Sequence, residues 1–310
     1  MITMGIRTVS AFALLAALIG VIVLRSDGAK TRDASAASSV AAEAADGVPR
    51  RILPGSVTAM DWLAALGVEP ERCVAVPVQA ERWSTIRLDP EAWAARPRYE
   101  RLTSEVALGF QPDLVLVSST SSEAAVKRIR MSDATVIEVP EPTTWDGLLA
   151  AGEAMADAVG AGEAGERLIA SLEARRVALG SRGARRLRVL PYANYGGGGS
   201  TSGKGTTLDL ALELAGFVNV AVESGIQGYG NLTFEQILAL EFDAVLALGD
   251  EDMGTSESAE SLVNAGALAS VAPIQARRFI VLPEALHASG SVSIVDAAEE
   301  IARQGDALSE

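Results

Sequence analysis

Residues 198–205 are the segment whose composition is most suggestive of chemistry. The letters Gly-Gly-Ser-Thr-Ser-Gly-Lys-Gly nearly match the phosphate-binding loop G-x-x-x-x-G-K-[ST], but Gly205 stands where that loop needs a hydroxyl to hold magnesium. The glycines offer backbone N–H groups and Thr206 begins a predicted helix, which suits an anionic or hydrogen-bonding ligand. Because the same composition is typical of a flexible loop, the segment predicts either a ligand contact or a plain turn.

Other catalytic or metal-binding groupings are missing from the sequence. One cysteine, Cys73, and one histidine, His287, cannot build a disulfide framework, a cysteine-rich zinc site or a multi-histidine metal cage. No G-x-S-x-G motif lies between a strand and a helix, and a Ser-His-Asp triad could use only His287. We therefore predict no catalytic residue, no protein-bound metal and no cofactor. His287 itself is interpreted either as a partly exposed loop imidazole or as a ligand contact.

The overall charge excludes a further class of function. The chain carries 40 acidic and 26 basic side chains, for a formal net charge of −14. Such a surface repels phosphate backbones, whereas a nucleic-acid-binding protein needs a basic footprint. We therefore expect no nucleic-acid partner.

The N-terminus has the pattern of an export signal. Arg7 precedes an apolar run from Val9 to Leu24, and Arg25 ends it, so residues 1–25 are predicted to be a signal peptide or an anchor. The run is shorter than the ~20 residues that usually span a membrane, which favours a cleaved signal. Residues 26–47 are rich in Ala and Ser and indicate a tether. The body is therefore predicted to lie in the periplasm, with an uncleaved anchor in the cytoplasmic membrane as the alternative.

The body alternates short apolar runs with segments of helical periodicity. The predicted strands are Arg51–Leu53, Cys73–Val76, Asp113–Val117, Thr135–Val139, Leu187–Pro191, Asp243–Leu248 and Phe279–Leu282. The predicted helices are Ala59–Leu66, Glu123–Arg130, Leu208–Ala215, Phe234–Leu240 and Ile294–Ala302. Continuous apolar strands separated by helices indicate parallel sheets that are covered on both faces, so the predicted fold class is α/β.

Two segments, 108–117 and 238–247, share one pattern. Each has a helix end, a turn that contains an aspartate (Asp113 or Asp243) and a buried strand. We interpret them as parts of two similar lobes, over residues 48–144 and 181–310. The longest helical pattern, over 145–180, predicts one long rigid helix between the lobes, with 160–162 as the place where it could break or kink. The ligand cleft between such lobes would be largely preformed.

Four motifs follow one another along residues 51–303. They are Arg51–Gly67, which reads as a strand, a Ser/Thr turn and a helix ending in Ala-Leu-Gly; Gln111–Val117; Gly203–Thr207 with Ala215–Ala221; and Leu232–Leu238. Their order and spacing resemble the substrate-binding proteins of ABC importers for iron–siderophore, heme and cobalamin. The resemblance implies a monomeric, non-enzymatic protein that carries a small-molecule metal complex to the membrane subunits of the transporter.

The resemblance also implies which residues line the cleft. The N-terminal contributors would be Ser56, Arg82, Trp83 and Ser119, and the C-terminal ones Tyr195, Lys204, Thr206, Tyr229, Glu251 and His287. Trp83 would cover a flat ligand face, unless it is a packed core tryptophan. Arg82 and Lys204 would pair with ligand carboxylates, unless they are solvated surface charges.

The resembling family docks on its transporter through one exposed glutamate in each lobe. Glu235, in the motif Thr-Phe-Glu-Gln, matches the C-terminal position, and Glu91 is a looser match in the N-terminal lobe. An acid in the first turn of a helix also stabilises the helix dipole, which is the structural alternative. We expect the ligand to be an iron–siderophore or a corrinoid such as cobalamin. A heme-binding protein and a membrane-anchored sensor or accessory module of the same fold are the alternatives.

Overall fold

The structure is a computed structural model that describes residues 47–84, 93, 95–183, 186–194, 199–249, 256–287 and 290–309. Within these residues the chain forms two α/β lobes that are joined by helices, so the predicted fold class is confirmed. The predicted export segment and nearly all of the predicted tether lie outside the described residues.

The N-terminal lobe is built on parallel strands. Its elements are β1 (Ile52–Pro54), α1 (Val57–Ala65), β2 (Val76–Pro77), α2 (Ala80–Trp83), β3 (Arg98–Tyr99), α3 (Ser104–Gly109), β4 (Leu114–Val117), α4 (Glu123–Ile129) and β5 (Thr135–Glu138). One sheet has the order β1-β4-β5, and β2 pairs with β3. An isolated parallel bridge from Ile52 to Cys73 connects the two. The strands β1 and β4 are buried throughout because helices cover both faces.

The C-terminal lobe contains a larger, mixed sheet. Its elements are β6 (Arg188–Asn194), β7 (Gly199–Ser202), α7 (Thr207–Leu214), β8 (Val218–Asn219), α8 (Val220–Glu223), β9 (Tyr229–Asn231), α9 (Phe234–Leu238), β10 (Ala244–Leu248), α10 (Glu257–Val263), α11 (Ala272–Gln275), β11 (Phe279–Leu282), α12 (Glu284–His287) and α13 (Ser293–Ala307). Two further helices, α5 (Trp145–Val159) and α6 (Gly162–Gly180), connect the two lobes. The strand order is β11-β10-β6-β7-β9, with β8 also on β6. The strands β8, β6, β10 and β11 are parallel, and β7 is antiparallel to both of its neighbours.

The repeated sequence pattern corresponds to a repeated contact. In the N-terminal lobe the carboxylate of Asp113 accepts the backbone N–H of Arg51 at 3.0 Å, and the Asp113 N–H donates to the Arg51 carbonyl at 3.0 Å. In the C-terminal lobe Asp243 and Arg188 make the same two bonds, at 2.9 and 2.8 Å. Each arginine Nε also donates to the carbonyl two residues before its aspartate. We call these four residues the Arg–Asp clasps; they fix the start of β1 beside β4 and of β6 beside β10.

The predicted single helix over 145–180 is wrong in one respect. The segment forms two helices, α5 (Trp145–Val159) and α6 (Gly162–Gly180), because Gly160 adopts a left-handed conformation with φ +66° and ends α5. A side chain at Gly160 would also lie 2.6 Å from Val48 Cγ2. The helices pack against each other with Gly165 against Ala156 and Gly152 against Ile169, so they are antiparallel. The connection is therefore a helical hairpin.

One buried cluster runs through both lobes. It contains Trp62 of α1, Leu148 and Met155 of α5, Leu212 of α7 and Ile301 of α13. Two smaller clusters cover the other faces of the sheets, one in each lobe. Because the lobes share a core, separating them would expose apolar surface, which favours a fixed arrangement.

Candidate functional site

The two lobes meet where parallel strands end. Helix α2 follows β2 in the N-terminal lobe, and α12 follows β11 in the C-terminal lobe. Between these helices Arg82 Nε lies 2.8 Å from Glu284 Oε2, and the side chains are 55% and 22% exposed. Ligands of open α/β sheets bind outside the carboxyl ends of the strands. This ion pair therefore lies in the region where a ligand is expected, which we call the lobe junction (residues 82–84 and 284–287).

A second set of contacts lies deeper between the lobes. Asp61 of α1 is completely buried, and its carboxylate accepts hydrogen bonds from Ser84 and, at 3.3 Å, from Ser291 of the C-terminal lobe. Ser291 also accepts the backbone N–H of Ser293, the first residue of α13, at 3.3 Å. A buried carboxylate is tolerated only when such donors replace water. These bonds tie α1 to the start of α13.

Trp83 and His287 lie beside the ion pair, and each is the last residue of its one-turn helix. Both are partly buried, and their atoms Nε1 and Nε2 have no hydrogen-bond partner among the described residues. Burial lowers the pKa of His287 below its usual 6.5, and the charge of Glu284 opposes this shift more weakly. The imidazole is therefore neutral at pH 7, and one ring nitrogen can accept a hydrogen bond or bind a metal.

The remaining predicted residues of the N-terminal lobe lie in loops after β1 and β4. Ser56 is partly exposed and caps α1, since its hydroxyl accepts the Ala59 N–H at 3.1 Å. Ser119 is exposed beside a hydroxyl cluster in which Ser118 Oγ lies 3.0 Å from Thr120 Oγ1. Both residues follow the carboxyl end of a parallel strand, as the prediction requires.

The described part of the glycine-rich segment, residues 199–205, forms a strand and a turn. Its residues 199–202 form β7. The next two backbone N–H groups already have acceptors, because the Gly203 N–H donates to the Gly228 carbonyl at 2.8 Å and the Lys204 N–H donates to the Ile226 carbonyl at 2.9 Å. The Gly205 N–H donates to the carboxylate of Asp209 at 3.2 Å, so an acid of this chain occupies the position expected for an anion. Of the two interpretations of this segment, the structure favours a strand and turn, because the antiparallel pairing of β7 with β6 and β9 and the turn that follows use these backbone groups.

The three predicted residues Lys204, Thr206 and Tyr229 differ in their exposure to solvent. Thr206 is buried and caps α7, since its hydroxyl donates to the Gly203 carbonyl at 2.9 Å and accepts the Asp209 N–H at 3.1 Å. Because the side chain is buried and both of these bonds are internal, Thr206 is not accessible to a ligand. The Lys204 side chain is exposed, and Tyr229 is 76% exposed on the edge strand β9. Among the described residues, no hydrogen bond or ion pair links Lys204, Thr206 or Tyr229 to the lobe junction.

Of the two predicted docking acids, Glu235 can be described. It is exposed in the first turn of α9, which begins with a complete capping box between Thr233 and Gln236. A hydrogen bond from its own backbone N–H, with a smaller effect of the Thr233 hydroxyl, lowers the pKa of Glu235. The predicted residues Tyr195, Glu91 and Glu251 lie outside the described residues.

The sequence analysis missed Asp61, Ser291 and Glu284. Asp61 had one available signal, because it is a single acid within the apolar helix sequence Met-Asp-Trp-Leu. Glu284 follows a strand near His287 but carries no motif of its own. The described residues contain no group of three or more metal-ligating side chains and no helix long and apolar enough to cross a membrane.

Known proteins resemble this chain in sequence and fold. A sequence profile of the family described as "Periplasmic binding protein" matches residues 56–286. Among solved structures, the periplasmic heme binding protein HutB of Vibrio cholerae shares 21% identity with a TM-score of 0.71, and the match covers 82% of this chain and 97% of that one. An ABC-type Fe3+-hydroxamate transport protein from Saccharomonospora viridis shares 23% identity with a TM-score of 0.67, covering 84% and 94%.

A third similar structure carries a different ligand. The molybdate periplasmic binding protein MolA of Haemophilus influenzae shares 20% identity with a TM-score of 0.67, and the match covers 84% of this chain and 87% of that one. Among curated protein sequences, none matches this chain. At these identities the structural likenesses establish the fold, and the ligand has to be argued from the residues.

Proposed function

Because the chain belongs to the periplasmic binding protein family, we propose that it binds an iron complex or a corrinoid between its lobes and delivers it to an ABC transporter. The observation that carries the proposal is the lobe junction. There Arg82 and Trp83 of one lobe meet Glu284 and His287 of the other, at the ends of parallel strands. This arrangement supplies a cation, an indole surface and a neutral imidazole.

The chemistry of the junction suits a large metal complex with an organic surface. An indole offers apolar area and an N–H donor with little loss of side-chain entropy. A guanidinium binds carboxylates, which heme and carboxylate siderophores carry. The neutral imidazole of His287 is a group that binds an iron with an open axial position, as in heme; its Nε2 is buried here, so binding would require the ring to turn toward the ligand. Solved relatives of the same fold are described as heme and Fe3+-hydroxamate proteins, which supports a complexed iron as cargo.

The proposal extends to location and partners. Residues 1–25 would direct export, so that the lobes act in the periplasm as a monomer. The exposed Glu235 would meet a cationic surface of the membrane subunits, and Glu91 would do the same for the N-terminal lobe. The proposal includes no catalytic step.

Ligand binding tests the proposal directly. The full chain is purified in detergent, and its absorbance is recorded for a heme, corrin or ferric charge-transfer band. Calorimetry then measures binding of ferric heme, a ferric hydroxamate complex, a ferric citrate-type complex and cobalamin. We expect at least one to bind with a Kd in the micromolar range or below. Failure of all four would overturn the proposed function.

A further inference from the structure

Arg82 already holds a carboxylate in this structure. The group comes from Glu284 of the opposite lobe, and Arg82 Nε lies 2.8 Å from Glu284 Oε2. The guanidinium side chain is 55% exposed, so it can be reached from solvent, whereas Glu284 is 22% exposed. The pair therefore consists of an accessible cation and a less accessible anion in the region where a ligand is expected.

The next residue of the same helix, Trp83, has a hydrogen-bond donor without an acceptor among the described residues. Trp83 Nε1 is buried and has no hydrogen-bond partner among the described residues, although an indole N–H can only donate. A buried donor without a partner costs free energy. Helix α2 thus carries two successive donor side chains at the lobe junction, of which Arg82 has a carboxylate partner in Glu284 and Trp83 Nε1 has no acceptor among the described residues.

We propose that Glu284 is a specificity-determining residue that occupies Arg82 as an internal competitor for a ligand carboxylate. This inference rests on the proposed function and narrows its cargo to an iron complex that carries carboxylates. Such a ligand replaces one carboxylate on Arg82 by another, so the guanidinium keeps an anionic partner. A neutral complex offers no replacement, because it either leaves the ion pair in place or breaks it without compensation.

The proposal predicts that removing the charge of Glu284 increases the affinity of the protein for a carboxylate ligand. Glu284→Gln keeps the side-chain size but removes the competing charge, so a carboxylate ligand binds more tightly. Exposed ion pairs of this kind are weak, and we expect Kd to fall by about two- to fivefold. Arg82→Gln removes the charge-assisted bond to the ligand, and we expect Kd to rise by about tenfold.

The test uses ferric heme, which has two carboxylates, and its dimethyl ester, which has none. Binding of both probes to the full chain is measured by absorbance titration for the wild type, E284Q, R82Q and the double variant. We expect E284Q to bind heme more tightly but the ester unchanged, and R82Q to abolish the effect of E284Q. Glu260→Gln, which breaks the exposed Glu260–Arg277 pair (2.7 Å) elsewhere on the C-terminal lobe, is the matched control and should change neither Kd.

The possible outcomes distinguish a failure of the role proposed for Glu284 from a failure of the proposed function itself. Equal effects of E284Q on heme and ester, or weaker heme binding by E284Q, overturn the role of Glu284 and leave the proposed function intact. The same holds if the chain binds only a ferric hydroxamate or cobalamin. If no metal complex binds to the wild type, the proposed function fails and this inference fails with it. Circular dichroism of each variant shows whether its fold is retained.

Discussion

The hydroxyl of Ser291 donates to the carboxylate of Asp61 at 3.3 Å, and thereby joins the segment that leads into α13 to the first helix of the other lobe. Both residues are fully buried. Ser84 supplies a second donor to the same carboxylate, so one buried acid accepts a hydroxyl from each lobe. We infer that it fixes how the lobes meet.

Ser291→Ala should lower the free energy of unfolding by about 1–3 kcal/mol, because it removes a donor from a buried carboxylate. Urea unfolding followed by circular dichroism measures the change. Ser181→Ala is the control; this exposed hydroxyl donates to the Ala178 carbonyl at 2.8 Å, and its loss should cost less than about 0.5 kcal/mol. Equal effects of the two substitutions would contradict a special role for Ser291.

The single histidine should make stability depend on pH in a defined direction. Burial lowers the pKa of His287 in the folded protein below 6.5, so the unfolded chain binds the proton first as the pH falls. The contribution of His287 to the free energy of unfolding is therefore present above about pH 6.5, and it is lost as the pH falls toward the pKa of the folded protein. We expect wild type to lose up to about 1 kcal/mol more than His287→Gln between pH 7.5 and 5.5.

Urea unfolding of both proteins at the two pH values measures that difference. Titrating carboxylates are common to wild type and variant, and they cancel in the comparison. Since the chain has one histidine, an NMR titration of its ring proton gives the folded pKa without ambiguity. A pKa at or above 6.5 would refute the prediction.

The contact between α5 and α6 depends on a glycine. A Cβ at Gly165 would overlap the Cβ of Ala156 in the facing helix. Gly165→Ala should therefore destabilise the protein by about 1–3 kcal/mol, despite the better helix propensity of alanine. Gly162→Ala, at the start of the same helix with no atom within 4 Å of the added group, is the control and should be close to neutral. Thermal and urea unfolding measure both variants.

Cys73 should report on opening of the N-terminal lobe. It is fully buried in the core cluster, and burial raises the pKa of its thiol to about 12. Because only the thiolate reacts, we expect labelling by a disulfide reagent at pH 8 to be at least about a thousandfold slower than in unfolding concentrations of urea. The chain has no other thiol, so the signal is specific. Rapid labelling of the folded protein would show that β1 and the residues beside it open readily.

Glu235→Arg should weaken coupling to the transporter without changing ligand affinity. Charge reversal at an exposed acid places a cation against the cationic surface proposed for the membrane subunits, and we expect at least tenfold weaker stimulation of transport. Uptake and ATP hydrolysis in proteoliposomes measure the effect once the permease is in hand. Glu163→Arg, at an exposed acid in the first turn of α6, is the control. Equal loss in both variants would point to net charge instead of docking.

The sequence predicted the longer parallel strands well because buried strands carry an apolar signal of their own. The two-residue parallel strands β3 and β8 were missed, and the predicted strand Cys73–Val76 shares only Val76 with β2. The run Phe279–Leu282 was predicted with the observed bounds of β11, and the predicted strands beginning at Asp113 and Asp243 differ from β4 and β10 by one residue at their start. The antiparallel pair β7 and β9 was missed, since Gly199–Ser202 and Tyr229–Asn231 contain few apolar residues. Their partners are set by tertiary contacts.

The candidate site was predicted in part for a similar reason. Arg82, Trp83 and His287 were named, and the structure brings them to one junction. Thr206 was named as a ligand contact, but a threonine before a helix is as readily a cap, and only burial distinguishes the two roles. The pairing of Arg82 with Glu284 joins residues about 200 positions apart and could not be read from local patterns.

The two Arg–Asp clasps are the same structural feature, formed once in each lobe of a single chain. Arg51 with Asp113 and Arg188 with Asp243 make the same backbone bonds at the starts of β1 and β6. Their surroundings differ, because Arg51 also donates to the Phe110 carbonyl at 2.5 Å and Arg188 forms an ion pair with Glu223 at 2.8 Å. One substitution can thus be made twice in a single chain, at equivalent places with different surroundings. The difference between the unfolding free energies of Arg51→Ala and Arg188→Ala reports the energetic effect of those surroundings, without reference to any second protein.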